Sequence, residues 1–190
     1  MQGINFLEAF AWASAPTGTQ PPDDLYCQTR DVFQARLDTF RLTLERAGEY
    51  KEQSSLLIAV IGEIGNNSFD HNIGNWRDIP GVYFYTDVSQ GMVVCADRGQ
   101  GIRRTLQAIR PDIDSDRDAL RIALTEKISG RAPEQRGNGL KFVRAVVNEQ
   151  HWHLEMQSGD ARATVNEQLS IDNSVSPVQG CYVSIRFATL

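Results

Sequence analysis

Glu63, Asn67 and His71 recur every four residues in an otherwise apolar stretch, and this constrains the chain more than any other feature. At about 3.6 residues per turn, that spacing places an acid, an amide and an imidazole on one slowly drifting stripe of a helix. Leu57, Val60 and Ile64 fall across from them and face a core. Thirty residues after Asn67, Asp97 follows directly on the apolar run Met92 to Ala96 and opens Asp97-Arg98-Gly99-Gln100-Gly101-Ile102. A later Gly137-Asn138-Gly139-Leu140 opens a further apolar helix. One helix and two glycine-rich turns together suggest a site where backbone approaches a nucleotide phosphate.

Each residue type has a role that its chemistry permits. The amide oxygen of Asn67 is a hard donor suited to Mg²⁺, which keeps several waters and phosphate oxygens in its shell. Glu63, one turn earlier, can accept a proton from an attacking water or hydroxyl. His71 can hydrogen-bond at the rim of the phosphate site, and a capping or surface role fits it equally. Asp97 is placed to accept from an exocyclic amine such as that of adenine, and would reject guanine, which carries an acceptor there. Gly137, Asn138 and Gly139 offer free N–H groups at a helix start, where the dipole favours an anion. Arg131 and Arg136 stand ready for phosphate oxygens. Each segment alone also has a plainer reading: a solvated helix face, an ordinary Asp-x-Gly turn after a strand, a pair of loop arginines.

The bulk properties exclude other classes. The net charge of -5 and pI of about 5.2 argue against a broad nucleic-acid footprint, which needs a basic surface. Cys27, Cys95 and Cys181 are odd in number and far apart, without zinc spacing, which fits a reducing cytoplasmic setting. No apolar run approaches a membrane span. The segment Ile4 to Ala15 resembles a signal core, but Glu8 interrupts it and no Lys or Arg precedes Arg30. Residues 1–30 are therefore read as a leader, part of the fold or a homodimer contact.

At 190 residues the chain fits one domain. Val32, Phe33, Leu37, Phe40 and Leu44 predict a helix that Gly48 ends, and a second helix runs from about Glu52 to His71. Gly81 to Val88 and Gly91 to Ala96 predict a hairpin. Arg103 to Arg136 is polar, with few large apolar anchors and one short helix from Asp116 to Lys127 behind Ser115 as N-cap. A helix follows from Leu140 to Val147. Three strands close the chain: Trp152–Gln157, Arg162–Leu169 and Cys181–Phe187, with Ser158-Gly159-Asp160 as the turn between the first two. The expected fold is a two-layer α/β sandwich, a mixed and mainly antiparallel sheet with helices on one face.

The order of the motifs resembles that of the GHKL ATP-binding superfamily, the Bergerat fold of gyrase, the heat-shock chaperone and histidine kinases. Glu63-x-x-x-Asn67-x-x-x-His71 is similar to its N box, Asp97-x-Gly99-x-Gly101-Ile102 to its first glycine box and Gly137-x-Gly139-Leu140 to its second. Gln179-Gly180-Cys181 looks like the Gly-Thr position that closes the adenine pocket, with Cys181 in place of the usual Thr. The resemblance covers roughly Asp31 to the C-terminus. It implies ATP and Mg²⁺ as ligands, with Asn67 on the metal, Glu63 as base, Asp97 on the adenine amine, Gly99 and Gly101 shaping the pocket and residues 103–136 as a mobile ATP lid. Stand-alone anti-sigma-factor/serine kinases look most similar, which implies a protein kinase or anti-sigma-like switch. Its partner would be of the sigma factor, anti-anti-sigma or response protein class. A nucleotide-gated binding module and an orphan ATPase subunit are the alternatives.

Overall fold

The computed structural model describes residues 5–126 and 139–188. Five strands form one sheet in the order β1-β2-β3-β5-β4, and all four pairings are antiparallel. They are β1 (Tyr26–Cys27), β2 (Val82–Asp87), β3 (Met92–Asp97), β4 (His153–Asn166) and β5 (Gln168–Arg186). The helices are α1 (Asn5–Ser14), α2 (Arg30–Ala47), α3 (Ser54–Asn72), α4 (Gly101–Gln107), α5 (Asp116–Thr125) and α6 (Gly139–Glu149). The expected α/β layering holds, with the main helical layer on one face. Among the described residues, no helix is long and apolar enough to cross a membrane.

Local chemistry sets the helix bounds. Thr29 caps α2 by accepting from the Val32 N–H, and Gly48 ends it at φ 78°, a left-handed conformation that costs glycine least. Ser115 caps α5 as expected, accepting from the Asp118 N–H at 3.0 Å. The helix stops at Thr125, short of Lys127, which lies outside the described residues.

β3 shows how one strand serves two layers, because successive side chains point to opposite faces. Val93 and Cys95 enter the main core with Phe33, Leu37, Leu57, Ile61 and Val143 from α2, α3 and α6. Val94 and Ala96 enter a smaller cluster on the reverse face, under Ala9, Trp12 and Ala13 of α1. Residues 5–14 are thus built into the fold, where they partly cover the second face. α2 and α3 approach closely because Gly65 leaves room for the Phe33 ring; a Cβ there would lie 2.1 Å from it.

Two expectations are corrected. Ser158-Gly159-Asp160 is no turn between strands: it is a bulge inside β4, marked by register shifts at Gly159 and a φ of +58°. The reversal sits at Glu167, between Asn166 and Gln168. The expected strands that end at Leu169 and begin at Cys181 are not separate: the run between them continues β5. The segment 103–126 is also better anchored than its polarity suggests. Leu106, Ile113, Ala119 and Ile122 form a cluster of their own, and Leu120 and Leu124 enter the main core. Its apolar residues are spread among charges at helical spacing, so α5 reads as polar while burying one full face.

Candidate functional site

The Glu63–Asn67–His71 stripe borders a cavity of about 140 Å³ between α3, α4, α6 and the strand ends. Leu57, Val60 and Ile61 hold α3 against the sheet, and this turns the stripe toward the cavity at partial burial. The same cavity is lined by Asp97, Gly101, Ile102, Gly139, Leu140 and Cys181, so the fold brings together residues from all three motifs. Its apolar walls come from Ile64, Leu106, Met156 and Val183. Arg131, Arg136, Gly137 and Asn138 lie outside the described residues.

At one end, the Asn67 side-chain N–H donates to Glu63 Oε1 at 3.4 Å. This orients the amide and leaves its oxygen without a hydrogen bond among the described residues. Gly139 starts α6 directly against Glu63: a Cβ at that position would stand 1.7 Å from Glu63 Oε1. Only a residue without a side chain lets the helix start and the acid share this wall. Among the described residues, no group of three or more His, Cys, Asp or Glu gathers as a metal cage.

At the other end, Asp97 is 2% exposed and held by three donors. Ser68 Oγ donates to Oδ2 at 2.7 Å, while the Gly99 N–H and the Asn72 side chain donate to Oδ1 at 2.9 and 3.3 Å. Cys181 lies opposite as the register partner of Asp97 on β5, and its backbone is a further influence that lowers the Asp97 carboxyl. Burial pushes the Asp97 carboxyl above its ordinary value; the donors, Ser68 first, oppose it. Gly180 passes so close that a Cβ would lie 2.4 Å from Asp97 Oδ1 and 2.5 Å from the Gly99 nitrogen. Burial likewise raises the Cys181 thiol, so it packs as a neutral group in the wall.

Four residues that sequence reasoning did not single out hold this geometry. Asn72, 4% exposed, donates to the Ser68 carbonyl as well as to Asp97 and accepts from the Gln100 N–H at 2.9 Å. Gln100 in turn donates to the His71 carbonyl at 2.7 Å. Ser158 accepts from the Ile102 N–H and donates to the Gly180 carbonyl, joining the start of α4 to β5. Ser68 and Asn72 were legible in principle as a second i, i+4 pair, one position along from Asn67 and His71. Ser158 was hidden by its false assignment to a turn.

No family model matches the sequence, and no curated protein matches it. Among solved structures, the chain is similar to the 43K ATPase domain of Thermus thermophilus gyrase B in complex with an aminocoumarin, at 16% identity and a TM-score of 0.40. The match covers 69% of this chain and 35% of that one, so the chain spans about a third of that structure's length. A likeness of this degree adds nothing to what the cavity itself says.

Proposed function

We propose that the chain binds Mg-ATP in this cavity, with the adenine toward Asp97 and the phosphates toward Asn67 and the start of α6. One observation carries the reading: a single cavity joins a buried carboxylate at an apolar floor to an acid–amide pair beside a helix start. An ionised carboxylate has about four lone-pair sites, and three donors occupy those of Asp97, two on Oδ1 and one on Oδ2. The Ser68 hydroxyl is the one among them that turns without moving backbone or breaking a second bond. Its rotation opens Oδ2 to an exocyclic amine, while Asn72 and the Gly99 N–H keep the carboxylate in place.

The oxygen of Asn67, without a hydrogen bond among the described residues, fits a hard cation shared with phosphate oxygens. When bound, Mg²⁺ supplies neutralisation of phosphate charge. Glu63, fixed by Asn67 and Gly139, stands where it can take a proton from a hydroxyl or water. The finer reading is a regulatory protein kinase or anti-sigma-like switch that passes the γ-phosphoryl to a partner protein. What supports it is the order of the sequence motifs.

Thermal unfolding with and without Mg-ATP tests the binding. At 100 times Kd a ligand adds about 2.7 kcal/mol, a rise of roughly 5–10 °C for a chain of this size. Asp97→Asn should abolish the rise. No shift in the unsubstituted protein at millimolar ATP would sink the reading. Transfer of γ-phosphoryl label to a co-purified protein, lost in Glu63→Gln, separates a kinase from a nucleotide-gated binding module.

A further inference from the structure

We infer that Arg98 is a positioning residue that couples α1 and its following loop, on one face of the sheet, to the cavity on the other. The inference deepens the nucleotide reading and rests on it for the ligand. Alternation along β3 supplies the geometry: Asp97 points into the cavity, so the next side chain turns to the reverse face, toward α1.

There the Arg98 side chain is wholly buried. Nε and Nη2 donate to the two oxygens of Asp78 at 2.8 and 2.7 Å, a planar fork that lysine cannot reproduce. Nη1 donates to the Trp12 carbonyl at 2.5 Å, and the guanidinium lies 5.7 Å from the centre of the Trp12 ring. Asp78 Oδ2 also accepts from the Gly18 N–H at 2.8 Å, and Trp12 Nε1 donates to the Thr19 carbonyl at 2.7 Å. The Arg98 carbonyl accepts from the Arg77 N–H. The three guanidinium nitrogens and the carbonyl of residue 98 are therefore all tied to Trp12 or to the segment 77–78. Its two chain neighbours are the cavity acid and the glycine whose N–H holds that acid.

Moving α1 takes the Trp12 carbonyl from a buried guanidinium, and moving the loop at Gly18 takes a donor from the Asp78 carboxylate that holds it, so the peptide 97–101 is expected to shift with either. The Gly99 and Ile102 N–H groups, bonded to Asp97 and Ser158, are where that shift registers at the cavity. Coupling between two sites is reciprocal: whatever factor the docked segment adds to ligand affinity, the ligand adds to docking.

Two substitutions away from the cavity test this in the full chain. Asp78→Asn removes the charge and half of the fork. Gly18→Ala wedges it, since a Cβ would lie 2.6 Å from Arg98 Nε and 2.8 Å from Asp78 Oδ1. Hydrogen exchange without ligand should quicken at Gly99, Gln100 and Ile102 in both variants. The Kd for Mg-ATP should rise by about 5- to 150-fold. In the unsubstituted protein, Mg-ATP should slow exchange at the Gly18 amide by the same factor. Arg41→Gln, which breaks the exposed Arg41–Glu45 pair on α2, should change none of these. Unchanged exchange at 99–102 in both folded variants overturns the coupling, as does wild-type affinity in both. If the unsubstituted protein fails to bind Mg-ATP while exchange at 99–102 still responds, the ligand reading falls and the mechanical link stands.

Discussion

Ser68→Ala isolates the hydrogen bond on which the buried acid depends. The hydroxyl donates to Asp97 Oδ2 at 2.7 Å and both residues are buried, so no water replaces it freely. A hydrogen bond to a charged group contributes about 1.5–3 kcal/mol, and the change removes one oxygen without opening a sizeable void. Melting should therefore fall by roughly 3–12 °C in a chain of this length. The pH dependence gives the sharper test. Burial raises the folded Asp97 carboxyl above its ordinary value, so its contribution is fully present below the ordinary carboxylate range and is lost as pH rises through the folded value. Ser68 is the largest influence opposing that rise. Removing it moves the folded value further up, and the cost of the substitution is greatest where Asp97 is ionised. As the pH falls toward the ordinary carboxylate value, the cost should shrink to that of a neutral hydrogen bond, about 0.5–1.5 kcal/mol. Urea unfolding at pH 7.5 and pH 4.5 measures both ends. A cost below about 0.5 kcal/mol at pH 7.5, or one that grows on acidification, would refute the reasoning.

Other substitutions probe the packing around the site. Gly139→Ala should push Glu63 off the α6 wall while leaving urea stability within about 1 kcal/mol, because the displaced atoms end a flexible side chain; a crystal structure with Glu63 unmoved would contradict it. Gly65→Ala drives a methyl into the Phe33 ring and should cost about 1–3 kcal/mol or more in chemical denaturation. In the native protein, Cys27 and Cys95 should stay unlabelled by thiol reagents at pH 8 and react only on unfolding, since burial raises Cys27 to about 11 and Cys95 further. Rapid labelling of either in the folded chain would show that the core around β1 and β3 opens.

Helices α2, α3, α5 and α6 were legible because their signals are local, whereas α1 and α4 were not read as helices. Phe33, Leu37, Phe40 and Leu44 keep helical spacing whatever surrounds them, and Glu63, Asn67 and His71 stay in line for the same reason. The hairpin of β2 and β3 follows from two apolar runs close in sequence. β5 was half hidden because residues 170–176 are mostly polar, and 170–173 gain their extended form by pairing with β4, a partner that composition does not encode. Arg98 was invisible as a structural residue. Its partners Asp78 and Trp12 lie 20 and 86 residues away, and a charged residue between an acid and a glycine reads as a turn. Asn72 was masked by standing next to His71, a residue with a louder chemical signature.

The strand order also sets when the cavity comes into being. β4 and β5 are joined through one residue, Glu167, whereas β3 meets β5 only across the stretch from Asp97 to Cys181. Local pairing is fast and long loops close slowly, so the C-terminal hairpin is expected to form early and to dock on β3 late. That docking brings Cys181 opposite Asp97 and Ser158 to Ile102. Until it happens the cavity is incomplete and a ligand has nothing to bind. Ligand therefore acts on the unfolding rate and leaves the folding rate alone, which makes occupancy a clock on how long the folded chain persists.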